Sequence, residues 1–342
     1  MRIWHGFKVS NHLTPCHIWK NNMRAYRVNE FNIAPTIALV DMASPKRGEV
    51  AVEIHACGLN FADLLLLSGR YQDTPALPFT PGLELAGVIQ AIGPDVDGLA
   101  IGDRVAVFSG QGGLAEAGVF PADRVARIPD EMSFVDAAAF QIAYGTGLVA
   151  LDHCARLQPE ETLLVTGAAG GVGLTAVEIG KRMGARVIAH ARGAEKLAVA
   201  QAAGADHLID ASEDLRQAVK DLGGADVVYD AIGGEVWKAA FRATNPGGRL
   251  LPIGFAGGEV PQIPANHLLV KNLSVIGFYF GGYLKSHPLV VRGAIERLIG
   301  WYKDGSLRPH VSHVLPLDQT DAALELLRSR KATGKVVITL RA

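Results

Sequence analysis

Asn60 and Asp63 stand three residues apart in residues 58–71, Gly-Leu-Asn-Phe-Ala-Asp-Leu-Leu-Leu-Leu-Ser-Gly-Arg-Tyr, an otherwise apolar stretch that closes on Tyr71. An amide, a carboxylate and a phenol so placed can line a polar site. The bland alternative is a helix cap, because Asn before an apolar run is a favoured N-cap. A second group has more definite chemistry. Residues 165–173 read Val-Thr-Gly-Ala-Ala-Gly-Gly-Val-Gly, and within them Ala168-x-Gly170-x-x-Gly173 fits a dinucleotide fingerprint with alanine in its first slot. In that pattern Gly170 lets the backbone approach a pyrophosphate and Gly173 lets a helix pack on a strand. The N-terminus of the helix presents unpaired N–H groups and partial positive charge. Ala169, Gly170, Gly171, Val172 and Gly173 are therefore the expected phosphate contacts.

The choice of nucleotide rests on the following strand. An NAD site carries an acidic residue about 20 residues beyond the fingerprint, on the ribose 2′-hydroxyl. Here the strand ends in Ala191-Arg192, with Lys196 one helical turn on. With no carboxylate there and a guanidinium suited to bidentate phosphate recognition, the expected cofactor is NADPH, held by Arg192 and Lys196. His190 either touches the adenosine or fills the sheet edge. The loop letters also fit the Thr-Gly-x-x-x-Gly-x-Gly of short-chain dehydrogenases, but that family begins with its loop, and no Tyr-x-x-x-Lys pair follows here.

The elements that must position these groups fall into two rhythms. From Met23 to about Ala126 there are short alternating strands, such as Val50, Val52 and Ile54, separated by Gly, Pro and Asp turns, which suggest a compact barrel-like β domain. From Glu161 strands and helices alternate, the pattern of a doubly wound parallel sheet. Two more helices follow, and Gly-Lys-Val-Val-Ile-Thr-Leu closes as a strand. Residues 1–22 lack both a continuous apolar run and clear periodicity, and are expected to be a poorly ordered extension. With 33 Lys+Arg against 34 Asp+Glu, neither nucleic acid nor an anionic membrane is an expected partner. The cysteines, Cys16, Cys57 and Cys154, are far apart, which supports reduced, cytoplasmic thiols and neither a thiolate zinc site nor a disulfide framework.

Taken together, Pro81 to Gly93, Gly102 to Phe108 and the nucleotide fold after them resemble the medium-chain dehydrogenase/reductase superfamily, from Met23 to the C-terminus. Residues 60–71, 143–146 and 165–173 resemble its zinc-free NADPH:quinone oxidoreductase (zeta-crystallin-like) branch. The resemblance implies an α/β protein with a β-rich GroES-like catalytic domain, residues 23–147 and 285–342, and a Rossmann doubly wound parallel-sheet domain, residues 148–284. Where zinc members carry a ligand cysteine and a Gly-His-Glu histidine, this chain has Asn60 and Leu83, and the cysteine-rich structural lobe is missing. No metal is expected. Loss of a Lewis acid favours substrates that delocalise their own negative charge, quinones and α,β-unsaturated carbonyl compounds. Asn60 then positions the nicotinamide or its ribose.

Tyr71 matches a cleft tyrosine of the branch and either donates its hydroxyl or packs; a second tyrosine expected nearby is replaced by Leu65. Asp63 is expected to orient backbone near Asn60. Tyr144 and Thr146 fall where the domain-joining helix meets the nicotinamide. Gly254, Phe255 and Phe278 follow the last two sheet strands, at the carboxyl edge where ligands bind. The expected activity is NADPH-dependent reduction of quinones or enones. An enoyl-thioester reductase and an NADPH-binding sensor of low turnover are the rivals. A homodimer is expected through Leu273–Phe280, read as a long apolar edge strand that must be covered or paired. A monomer with that edge covered by residues 261–272 is the alternative.

Overall fold

The computed structural model describes residues 22–341. The expectation about residues 1–22 falls, but for Asn22, outside them. Six parallel strands form one sheet in the order His207–Asp210, Arg186–Ala191, Thr162–Thr166, Ala225–Asp230, Thr244–Pro252, Ser274–Val275. Its strands read as near-continuous apolar runs because helices cover both faces. Leu163, Val165, Val187 and Val227 face one helical layer, and Leu164, Ile188, Val228 and Leu250 face the other.

The second sheet has seven strands. Val311–Pro316, Lys335–Thr339, Glu49–Leu59, Glu84–Ile92, Arg104–Phe108 and Val125–Arg127 pair in that order, and Ala117–Pro121 lies against the first half of Glu49–Leu59. The alternation Val50, Val52, Ile54 points into its core with Leu85, Ile89, Val105 and Val107. Lys335–Thr339, from the end of the chain, is thus a neighbour of Glu49–Leu59, from its beginning. The parallel-sheet and GroES-like architecture matches the sequence-based expectation.

The long edge strand over Leu273–Phe280 does not form. Only Ser274 and Val275 pair with Arg249 and Leu250, and Phe280 opens the helix Phe280–Ser286. The cause is tertiary. Phe280 is buried and meets Phe108 of the other sheet edge-on, with ring centroids 5.6 Å apart. It also fills space that only Gly145 leaves, since a Cβ there would come within 2.6 Å of the Phe280 ring. That aromatic packing draws the segment off the sheet against its β propensity.

Candidate active site

Three neighbouring strand ends converge. Glu49–Leu59 hands the chain to Asn60, Glu84 opens its strand opposite Gly58, and Lys335 opens the last strand beside Leu59. The Lys335 Nζ donates to Glu84 Oε1 at 2.8 Å, Asn60 Oδ1 at 2.7 Å and Leu59 O at 2.8 Å. The Asn60 Nδ2 donates to the same Glu84 oxygen at 2.9 Å, and the Ile142 N–H donates to the other at 2.9 Å. Lys335 and Glu84 side chains are 4% and 1% exposed. So deep a pair must be fully bonded to repay its desolvation, and these five contacts supply the bonds.

Asn60 is the N-cap of the helix Phe61–Leu67, and its amide is bonded to Glu84 and Lys335. Asp63 orients the backbone around it, accepting from Asn60 N at 2.8 Å and Gly82 N at 3.0 Å. Burial pushes the Asp63 carboxyl up to about 7, against the pull of those two N–H groups. Leu83, buried, supplies no ligand atom. Among the described residues no three His, Cys, Asp or Glu side chains converge. A lone carboxylate already bonded to an ammonium is a poor zinc donor set.

The phosphate loop runs from the strand Thr162–Thr166 into the helix Gly171–Arg182. The first N–H closed onto this helix is that of Leu174, to Gly170 O, which leaves the Gly171, Val172 and Gly173 N–H groups without backbone partners among the described residues. At Gly173 a Cβ would lie 2.2 Å from Gly167 O, so only glycine permits this close turn. The last strand closes the loop from the other side. Gly334 N donates to Ala169 O at 2.8 Å, and a Cβ on Gly171 would touch the Lys335 Cδ at 3.3 Å. Lys335 therefore links the Asn60 cluster to the phosphate loop. A pyrophosphate fits this cradle of free N–H groups.

At the end of the strand Arg186–Ala191, Arg192 is exposed. Lys196 is half-buried and donates to the Arg330 carbonyl at 2.5 Å. Burial, then the charges of Arg192 and Arg330, lower its ammonium pKa. Three cations thus gather where the sequence suggests two. Arg330 lies between the last helix and last strand and donates to the Ala256 carbonyl. Nothing in its local sequence distinguishes it from other surface arginines. His190 is buried, and its Nδ1 lacks a partner among the described residues.

Tyr144 is placed otherwise than expected. Its ring is 1% exposed, and its hydroxyl donates to Glu178 Oε2 at 2.6 Å and lies 3.3 Å from Arg308 O, inside the packing of its helix on Gly171–Arg182. That hydroxyl is not available to a nicotinamide. Thr146, on the same helix, keeps 6% exposure. Gly254 follows the strand Thr244–Pro252, and Phe255 beside it is 40% exposed. Phe278 packs on Tyr283, ring centroids 5.0 Å apart, so its ring is engaged within the protein.

A cavity of about 840 Å³ opens beside the Asn60 cluster, between the seven-stranded sheet and the helices Phe280–Ser286 and Pro288–Lys303. Leu83, Phe108, Gln141, Leu284, Val291 and Ile295 line its inner wall. Tyr71 stands on this cavity with its ring edge-on to Tyr279, centroids 6.3 Å apart. Tyr279 donates to Asp73 at 2.6 Å, and Lys285 bonds the same carboxylate at 3.1 Å. Tyr279 and Gln141 were not among the sequence-based candidates.

Residues 171–298 match the family model described as zinc-binding dehydrogenase, and residues 46–130 match the alcohol dehydrogenase GroES-like domain. Over 334 residues the chain is 40% identical to a quinone oxidoreductase-like protein 2 homolog of Nematostella vectensis, covering 94% of this chain and 91% of the relative. The chain belongs to the quinone oxidoreductase-like branch of the medium-chain dehydrogenase/reductase superfamily. Within this superfamily it is also 32% identical to the human synaptic vesicle membrane protein VAT-1 homolog, over 86% of this chain and 80% of that one. Among solved structures, the quinone oxidoreductase of Thermus thermophilus, determined also as its complex with NADPH, matches with TM-score 0.83 and 34% identity, over 93% of this chain and 100% of that chain.

Proposed function

We propose that this protein is an NADPH-dependent reductase that delivers hydride to quinones or other α,β-unsaturated carbonyl compounds without a metal. One observation supports the reading: Asn60, which by the family resemblance stands where zinc relatives carry a ligand cysteine, is tied up in a buried cluster with Glu84 and Lys335. A cation entering there meets an ammonium whose partners are already fully used. When bound, NADPH supplies the hydride. The N–H groups of Gly171, Val172 and Gly173 hold its pyrophosphate. Arg192, with Lys196 and Arg330 beside it, holds the 2′-phosphate by charge-assisted hydrogen bonds. Asn60, fixed by Lys335 and Glu84, sets the wall on which the nicotinamide end rests.

The acceptor lies in the cavity under Tyr71 and Tyr279. Its own conjugation spreads the negative charge that hydride brings, so no Lewis acid is required. Among the residues that line the cavity, the cations Arg124, Arg127, Lys285 and Arg292 are matched by Asp73, Asp97, Asp123 and Glu296, which gives an acidic thioester carrier no net attraction. Stopped-flow NADPH oxidation with a quinone and an enone, run beside elemental analysis, tests the reading. Rapid oxidation, untouched by chelators and without stoichiometric zinc, is expected. Zinc lost together with activity overturns the metal-free mechanism.

A further inference from the structure

The geometry points to Gln141 as the hydrogen-bond donor that receives the acceptor's carbonyl oxygen. This inference rests on the reductase reading and names the atom that selects its substrate. Gln141 is the first residue of the helix Gln141–Leu148 and is only 5% exposed. Its side-chain Nε2 is sealed from solvent and has no hydrogen-bond partner among the described residues. Buried amides without partners are uncommon and call for an explanation. Here the explanation is the place: Gln141 sits in the wall of the cavity, among Leu83, Phe108, Val291 and Ile295. Those apolar residues of the same wall offer an amide no hydrogen-bond partner.

The adjoining backbone ties this wall to the Asn60 cluster. Ile142 N–H, one residue on, donates to Glu84 Oε2, whose partner oxygen holds Asn60 and Lys335. The backbone that carries Gln141 is therefore held by the same network that sets Asn60. In this rotamer the sealed Nε2 is turned from the open space; a half-turn of the terminal amide exchanges its oxygen and nitrogen with little change in packing and presents the N–H to the cavity. The ligand it fits is a planar conjugated carbonyl compound. Its oxygen meets Nε2, and its ring or chain lies on Phe108, Leu83 and Ile295. As hydride adds to the ring or the β-carbon, the electron pair displaced from the double bond moves to that oxygen. The Gln141 N–H then strengthens its hydrogen bond to the developing anion, and a proton from solvent completes the reduction. An acceptor without an oxygen there leaves the amide unpaired and is rejected.

The test uses the full chain with Gln141→Leu and Gln141→Met, which keep the volume and remove the donor. Both are expected to keep NADPH affinity by fluorescence titration and to melt at the wild-type temperature or above, because the lost amide had no partner. Both should lose about tenfold to a hundredfold in kcat/KM for 1,4-naphthoquinone and 2-cyclohexen-1-one. Unchanged kcat/KM overturns the assignment and leaves the reductase reading standing. So does a loss accompanied by a fall in melting temperature or NADPH affinity, because that marks a structural role. If the wild type reduces neither probe, the reductase reading fails, and binding then decides Gln141. Acetophenone, a carbonyl ligand that needs no turnover to bind, is added to the NADP⁺-loaded proteins in a thermal-shift assay. Stabilisation of the wild type but of neither variant supports the donor role; equal shifts, or none, overturn it.

Discussion

Arg192 acts at the scale of one side chain. It is exposed at the end of its strand, and no carboxylate occupies the position that would bind a free ribose 2′-hydroxyl. Changing Arg192 to Ala is expected to weaken NADPH by about 1–3 kcal/mol, the range for a charge-assisted hydrogen bond, and to leave NADH almost unaffected. Parallel titrations of the two cofactors check this, and equal losses refute it. Arg192, Asn60, Leu83 and the glycines of the phosphate loop were legible in the sequence because each belongs to a short motif with its own spacing. Lys335 and Arg330 were not. Lys335 meets Glu84 across 251 positions of chain and Asn60 across 275, and only the pairing of the last strand with Glu49–Leu59 brings them together. Gln141 looked like any polar residue at a helix start. Its meaning lies in the missing partner, which no sequence pattern records.

Between elements, the Lys335–Glu84 pair fastens three strand ends. Lys335→Met alone strands a buried carboxylate and should cost about 3–5 kcal/mol, whereas adding Glu84→Gln should restore much of it. Urea unfolding of both variants measures the difference; equal stability of the single and double variants refutes the coupling. A second contact joins the helix Gln141–Leu148 to the helix Gly171–Arg182 through Tyr144 and Glu178. Burial pushes the Glu178 carboxyl up to about 7, with the Tyr144 hydroxyl pulling the other way. An unfolded glutamate titrates near 4.3, so between these values the folded chain holds a proton that the unfolded chain has released. That stability is complete below about 4 and is lost as pH rises through about 7. Wild type should therefore lose up to about 4 kcal/mol from pH 4 to pH 8 relative to Glu178→Gln, as read by denaturant midpoints at the two pH values. A constant difference refutes it.

The strand expected over Leu273–Phe280 shows where element-level reading stops. Its apolar, aromatic run reads as β, but Phe280 finds Phe108 in the other half of the molecule, and tertiary packing decides.

At the scale of the whole molecule, the sheet still ends on a short strand, and apolar groups lie exposed close to it in sequence. Leu269 is 79% and Val270 75% exposed on the helix Ala265–Lys271, and Val260 just before it is 58% exposed. Exposed apolar side chains close in sequence to a short last strand suit a two-fold copy of themselves. Light scattering at micromolar concentration is expected to give a dimer mass, reduced to a monomer by Leu269→Glu with Val270→Glu. A monomer mass for the wild type that does not change on concentrating refutes the dimer.

The place of the last strand also bears on how the protein is made. Chains emerge from the ribosome N-terminus first, and domains usually fold in that order. The topology predicts the reverse order here. Until Lys335 is synthesised, the Glu84 carboxylate has no counter-charge, the Glu49–Leu59 strand has an open neighbour, and Gly334 has yet to close on Ala169. The parallel sheet, complete by Val275, is the first closed unit although it comes second in the chain. The first domain waits, unlatched, for the final strand to reach it.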